Sequence, residues 1–114
     1  MPYIETKVST TITKEQEKSL KEKYAKAIEN FPGKTEAWLM LNFEDNCRLW
    51  FKGDNTEPVA YVEVKIFGSV NPAGAEKMTA DVCRILKEEL GIPESRTYVK
   101  YEGIDTWGWN GSNF

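Results

Sequence analysis

With 114 residues, 40% of them hydrophobic and 29% charged, the chain is sized for one domain with a real core, and neither for disorder nor for a two-domain enzyme. Its net charge of -3 argues against a duplex-binding surface, and no apolar run approaches the ~20 residues of a membrane-spanning helix. There is no histidine, which removes Ser-His-Asp and Cys-His nucleophile chemistry and most zinc sites.

The opening Met-Pro-Tyr-Ile-Glu-Thr-Lys has neither a basic stretch nor an apolar one, so no secretory signal is expected. Tyr3 to Val8 alternates and predicts a first strand. Thr13, with Gln16 three residues on, carries the capping-box pattern that opens a helix. Leu20, Tyr24, Ala27, Ile28 and Phe31 follow at helical spacing until Pro32-Gly33 breaks the pattern. Ala37 to Phe43 is an apolar run of strand length, and Arg48 to Phe51 predicts a shorter strand before the turn Lys52-Gly53-Asp54-Asn55. Val59 to Phe67 is the third clear strand.

Asn71 caps a second helix whose first residue is Pro72, with Ala75, Met78, Val82, Ile85, Leu86 and Leu90 as its apolar stripe. Gly91-Ile92-Pro93 ends it, Thr97 to Tyr101 forms the next strand, and Asn110-Gly111 marks a tight hairpin in the tail. The halves resemble each other: each has a helix, a Pro/Gly break and a strand that opens with an aromatic, Trp38 or Tyr98. A duplicated β-α-β unit accounts for this, with right-handed crossovers and both helices on one face of the sheet. Trp38, Met40, Val62 and Val64 make the strands too apolar to face water, which predicts an oligomer.

Few residues carry chemistry. Cys47 and Cys83 are far apart with no C-x-x-C, and by default are inert buried thiols, so proton transfer falls to an amine, a carboxylate or a tyrosine. Gly33-Lys34-Thr35 mimics the end of a phosphate-binding loop, but position 28 is Ile where the motif needs Gly. Asn110-Gly111-Ser112 matches a glycosylation acceptor, for which the hairpin is the simpler account. Pro2 taken alone is an ordinary residue after an initiator Met. Its chemical reading is that Met1 is removed and a free secondary amine acts as proton acceptor, once desolvation or nearby positive charge lowers its pKa. Lys34 reads as a solvated lysine at a helix end, or as an anion-binding residue. Trp38, Tyr98, Trp107, Trp109 and Phe114 are by default core aromatics.

Taken together, the residues resemble the macrophage migration inhibitory factor family, the phenylpyruvate tautomerases. The resemblance rests on Met1-Pro2 before a strand, Gly33-Lys34 before Trp38, and Asn55-Thr-Glu-Pro58 before the third strand. It continues through Ile66-Phe67-Gly68, Arg96-Thr-Tyr98 and Gly108-Trp109-Asn110-Gly-Ser-Asn-Phe114. It spans residues 1–114 as a single tautomerase domain. The implied fold is α+β, a duplicated β-α-β unit with two helices on one face of a mixed four-stranded sheet, assembled as a homotrimer with active sites between subunits.

Carried over by position, the resemblance implies Pro2 as catalytic base and Lys34 as the carboxylate-binding lysine. Phe67 would serve through its backbone N–H, Tyr98 would reach the site of a neighbouring subunit, and Trp38, Trp107, Trp109 and Phe114 would form an apolar wall. Lys100 stands where animal members carry a substrate-contacting asparagine; two residues after Tyr98, it shares that residue's face. Lys65 replaces another pocket-side residue. Val59-Ala-Tyr-Val62 stands in place of the C-x-x-C of some members, so thiol-oxidoreductase activity is not expected. The implied activity is keto-enol tautomerisation of small aromatic α-keto acids such as phenylpyruvate, with dopachrome a further substrate, and with no cofactor, metal, nucleic acid or membrane. The alternative is a cytokine-like ligand of a cell-surface receptor. The implied location is cytoplasmic, or secreted without a signal peptide.

Overall fold

A computed structural model describes residues 1–114. Local sequence sets both helix starts. Thr13 Oγ1 accepts from the Gln16 N–H at 3.1 Å while Gln16 Oε1 accepts from the Thr13 N–H at 2.9 Å, a reciprocal cap that starts α1 (Lys14–Ala27). α1 tightens into one 3₁₀ turn, Ile28–Asn30, before Pro32. Asn71 Oδ1 accepts from Gly74 N–H at 2.8 Å and starts α2 (Pro72–Leu90), which ends where Gly91 takes φ +69°.

The strands are β1 (Pro2–Val8), β2 (Met40–Glu44), β3 (Ala60–Phe67) and β4 (Thr97–Ile104), with a small hairpin of β5 (Gly108–Trp109) and β6 (Ser112–Asn113). The main sheet runs β2-β1-β3-β4. β1 is parallel to β2, β3 is parallel to β4, and β1 meets β3 antiparallel in the middle. Each parallel pair is joined through its own helix, so the fold is the duplicated β-α-β unit, α+β, with both helices over one face.

That face holds the core. Ile4 and Val8 of β1 and Val62, Val64 and Ile66 of β3 meet Leu20, Tyr24 and Ile28 from the α1 side, and Met78, Val82, Ile85 and Leu86 from α2. Burying side chains of this size contributes about 1.5–3 kcal/mol each. One polar contact is sealed inside: the Thr6 and Tyr24 hydroxyls lie 3.0 Å apart, both residues fully buried.

Three sequence expectations need correction. Trp38 does not open a strand: Thr35 Oγ1 accepts from Ala37 N–H at 3.3 Å and caps a 3₁₀ turn, Glu36–Trp38, so β2 starts later, at Met40. Arg48 to Phe51 is not a strand, since no neighbour offers it an edge; Phe51 pairs only with Asp54 across the turn. β4 runs beyond Tyr101 to Ile104 because β3 still faces it there, and Gly103 allows the approach of Gly68, whose carbonyl would lie 2.5 Å from any added Cβ.

The reason given for an oligomer also changes. Val62 and Val64 are fully buried under the helices. The opposite face of the sheet is polar: β1 contributes Tyr3, Glu5 and Lys7, β3 contributes Tyr61, Glu63 and Lys65, and β4 contributes Lys100 and Glu102. Lys65 and Lys100 reach Glu63 at 3.7 and 3.8 Å, and Tyr61 Oη donates to it at 2.7 Å. The Tyr61 hydrogen bond, ahead of the lysine charges, holds Glu63 below the usual carboxylate range, while Tyr61 is pushed up to about 12.

Tyr24→Phe should destabilise the fold by about 1–3 kcal/mol, because the buried Thr6 hydroxyl loses its partner. Urea unfolding should show a lower midpoint at unchanged slope. Adding Thr6→Val should recover much of the loss, since both polar groups are then gone.

Candidate active site

The antiparallel register pairs Pro2 with Ile66 and leaves the N-terminus beside the last residue of β3. Phe67 N–H donates to Met1 O at 3.0 Å. Lys34 reaches the same corner from the turn after α1. Gly33 there has φ +77°, which lets the chain reverse after Pro32. Lys34 Nζ donates to Phe67 O at 3.4 Å.

One place thus gathers the N-terminal amine, a lysine ammonium and the backbone of Phe67. The amine is held below its ordinary value of 8.0, first by loss of water and then by the charge and hydrogen bonding of Lys34. Such an amine carries more of the neutral, proton-accepting form at pH 7 than a free chain end does. Pro2 itself is buried where β1 begins, so an amine on its nitrogen would sit one residue deeper.

Beside the amine opens a cavity of about 420 Å³ lined by Met1, Pro2, Tyr3, Trp38, Leu39, Met40, Trp107 and Trp109. Its rings pack on one another. Trp38 meets Trp109 edge-on at 4.9 Å, Trp109 stacks on Phe114 at 6.3 Å, and Phe114 lies against Phe67 at 5.4 Å. Each such pair contributes about 0.5–1.5 kcal/mol beyond burial. The hairpin presents the tail rings. Asn110 (φ +52°) and Gly111 (φ +86°) make its turn, and Phe114 N–H donates to Trp107 O at 3.0 Å. Trp38, Trp109 and Phe114 remain about half exposed, so the wall is open rather than sealed in the core.

Of the residues singled out in the sequence, Pro2, Lys34, Phe67, Trp38, Trp107, Trp109 and Phe114 converge on this end of the sheet. Tyr98 and Lys100 do not. Pro2 is level with Ile66 and hence with Gly103 on β4, while Tyr98 lies five residues further along, roughly 16 Å away. Tyr98 is 62% exposed and rests edge-on against Phe51 at 5.2 Å. Lys100 shares its face, paired with Glu63 at 3.8 Å and Glu102 at 4.0 Å. Lys65 also lies on that polar face. Of the thiols, Cys83 is buried, and burial pushes its pKa up, whereas Cys47 is only half-buried.

Tyr3 and Leu39 line the cavity without having been singled out, since they read as ordinary strand residues, and Met40, read only as an apolar residue that calls for an oligomer, lines it too. The role of the Met1 carbonyl and the packing of Phe51 on Tyr98 depend on contacts across the sheet, for which one sequence carries no signal.

The family model described as macrophage migration inhibitory factor matches residues 1–114. Leishmania major MIF2 is 34% identical and superimposes with a TM-score of 0.92, over 100% of this chain and 97% of that one. The macrophage migration inhibitory factor homologue from Prochlorococcus marinus is 33% identical, with a TM-score of 0.87 over 98% of each chain. The macrophage migration inhibitory factor of Xenopus laevis is 34% identical over 64 residues, which span 54% of this chain and 56% of the frog protein. The match over the whole chain, joined to the duplicated β-α-β architecture and the N-terminal site, makes this chain a member of the macrophage migration inhibitory factor family.

Proposed function

We propose that the protein is a keto-enol tautomerase of small aromatic α-keto acids such as phenylpyruvate, with Pro2 as general base after removal of Met1. The observation that carries this reading is the placement of the chain's N-terminus beside Lys34 at the mouth of an aromatic cavity, a place where the Met1 amine is already made less basic by loss of water and by Lys34. Neutral Pro2 nitrogen takes the proton from the carbon next to the ketone, and the electron pair left behind forms the enolate, which becomes the enol once its oxygen is protonated. The proton then returns at the other end of the system. Lys34 holds the carboxylate, and Trp38, Trp107, Trp109 and Phe114 receive the ring.

Met1 removal does two things in this reading. It turns the Pro2 nitrogen from a non-basic amide into an amine, and it releases the Phe67 N–H that Met1 O occupies, which can then bind a substrate oxygen. Each unit by which the amine's pKa falls corresponds to about 1.36 kcal/mol of differential interaction.

The assembly in this reading is a homotrimer, with Tyr98, and Lys100 at the rim, contributed by the neighbouring subunit. Exposed apolar residues at opposite sheet edges support it. Met40 is 66% exposed on edge strand β2, and Tyr98 is 62% exposed on edge strand β4. Two unlike patches of this kind suit a head-to-tail contact that closes into a ring.

Intact mass should show loss of Met1, and Pro2→Gly should lower phenylpyruvate kcat/KM by about a hundredfold or more, as loss of a general base does, with the oligomer unchanged by light scattering. Full activity in that variant would overturn Pro2 as the base, whereas no phenylpyruvate turnover by the unsubstituted protein after Met1 removal would favour the receptor-ligand reading. Lys34→Ala should raise KM about tenfold or more, since a charge-assisted hydrogen bond of about 1.5–3 kcal/mol is lost. The neutral base exists above its pKa, and Lys34 lowers that pKa. Removing Lys34 should therefore move the acid limb of the kcat/KM profile to higher pH. Lys100→Asn should leave that limb in place and change KM alone, because Glu63 and Glu102 already compensate the ammonium.

A further inference from the structure

Arg96 stands just before β4, only 9% exposed, and it does not face the aromatic cavity. Its guanidinium is saturated by a loop that forms no strand. Nε donates to Pro58 O at 3.0 Å, Nη1 to Phe51 O at 3.5 Å, and Nη2 to Asp54 O at 3.0 Å and Glu57 O at 3.2 Å. Nη2 also lies 3.4 Å from the Asp54 carboxylate. Four carbonyls of this loop thus converge on one planar fork of donors, an arrangement a lysine cannot reproduce.

The loop so gathered carries Phe51 at its start. Lys52 (φ +52°) and Gly53 (φ +75°) make a two-residue turn, closed by Phe51 N–H to Asp54 O at 2.9 Å and Asp54 N–H to Phe51 O at 3.0 Å. The guanidinium carbon lies 5.6 Å from the centre of the Phe51 ring, and the Tyr98 ring meets the same phenyl edge-on at 5.2 Å. Arg96 ends the 3₁₀ turn Glu94–Arg96 and Tyr98 is the second residue of β4, and Phe51 lies against each.

We infer that Arg96 is a positioning residue: by clamping the 51–58 loop it holds Phe51 against Tyr98 and fixes the direction in which Tyr98 leaves the subunit. This rests on the reading in which Tyr98 completes a neighbouring subunit's site. A tyrosine that is 62% exposed has few other constraints on its ring. Misplacing a binding group by an ångström can cost about a hundredfold in rate, so the clamp matters although it touches no substrate.

The test is a double-mutant cycle on the full chain after Met1 removal, with phenylpyruvate as the probe and light scattering to verify assembly. Arg96→Met should lower kcat/KM about tenfold, mainly through KM, without moving the acid limb that reports Pro2. In a Tyr98→Ala background the same substitution should cost almost nothing more, because the group it positions is already gone. Phe51→Leu, which leaves every carbonyl on the guanidinium, should repeat the non-additive pattern, and it carries the test if Arg96→Met fails to assemble. Equal losses in both backgrounds would overturn the positioning role and leave the tautomerase reading intact. An unchanged kcat/KM for Tyr98→Ala alone would instead overturn the placement of Tyr98 at a site, and the role of Arg96 with it.

Discussion

The antiparallel seam between β1 and β3 is the constraint on which the other features rest. It joins the two β-α-β units, and its register, from Pro2 opposite Ile66 to Val8 opposite Ala60, decides what lies at the N-terminus. Strand side chains alternate with period two. A slip of one residue would turn Ile4, Thr6 and Val8 out of the core and Tyr3, Glu5 and Lys7 into it. Burial on the helix face forbids that slip. The same core that stabilises the fold therefore delivers the chain end to Phe67 and Lys34.

The two faces of the sheet then divide the work. The helix face takes the apolar residues and one sealed hydroxyl pair, Thr6 with Tyr24. The other face carries carboxylates and lysines that neutralise one another around Glu63. Exposed pairs of this kind add little stability, about 0–1 kcal/mol each. Their effect is to keep the face wet and to leave Lys34 as the cation next to the N-terminal amine. The Met1 amine is thus made less basic first by loss of water and then by Lys34.

The aromatic residues fall into two groups that the core does not absorb. One gathers Trp38, Trp109, Phe114 and Phe67 around the N-terminal cavity, and the other sets Tyr98 on Phe51 at the far end of β4. The first group is held by the tail that follows β4, whose own turn at Asn110-Gly111 fixes its direction. The second is held by Arg96 and a loop without regular structure. The sheet supplies a rigid frame, and its ends carry the groups able to meet a ligand or another subunit.

Much of this was legible in the residues themselves. Thr13 with Gln16, Asn71 with Pro72, and Asn110-Gly111 each set a helix start or a turn through bonds within four residues, and such bonds form wherever the segment goes. The alternation of β1 and β3 likewise marked the inward residues, and the pairing of Pro2, Lys34 and the tail aromatics followed from family resemblance. One misreading was local: Trp38 belongs to a turn because Thr35, three residues before it, caps it. In the others the deciding contact was distant in sequence or missing. Arg48 to Phe51 lacks a strand partner, and Val62 and Val64 are covered by this chain's own helices rather than by a second copy. Only the tertiary structure placed Lys100 against Glu63, set Tyr98 on Phe51 and put the Met1 carbonyl on the Phe67 N–H, since those contacts arise from register across the sheet, and register is fixed by burial of the whole core, not by any short segment.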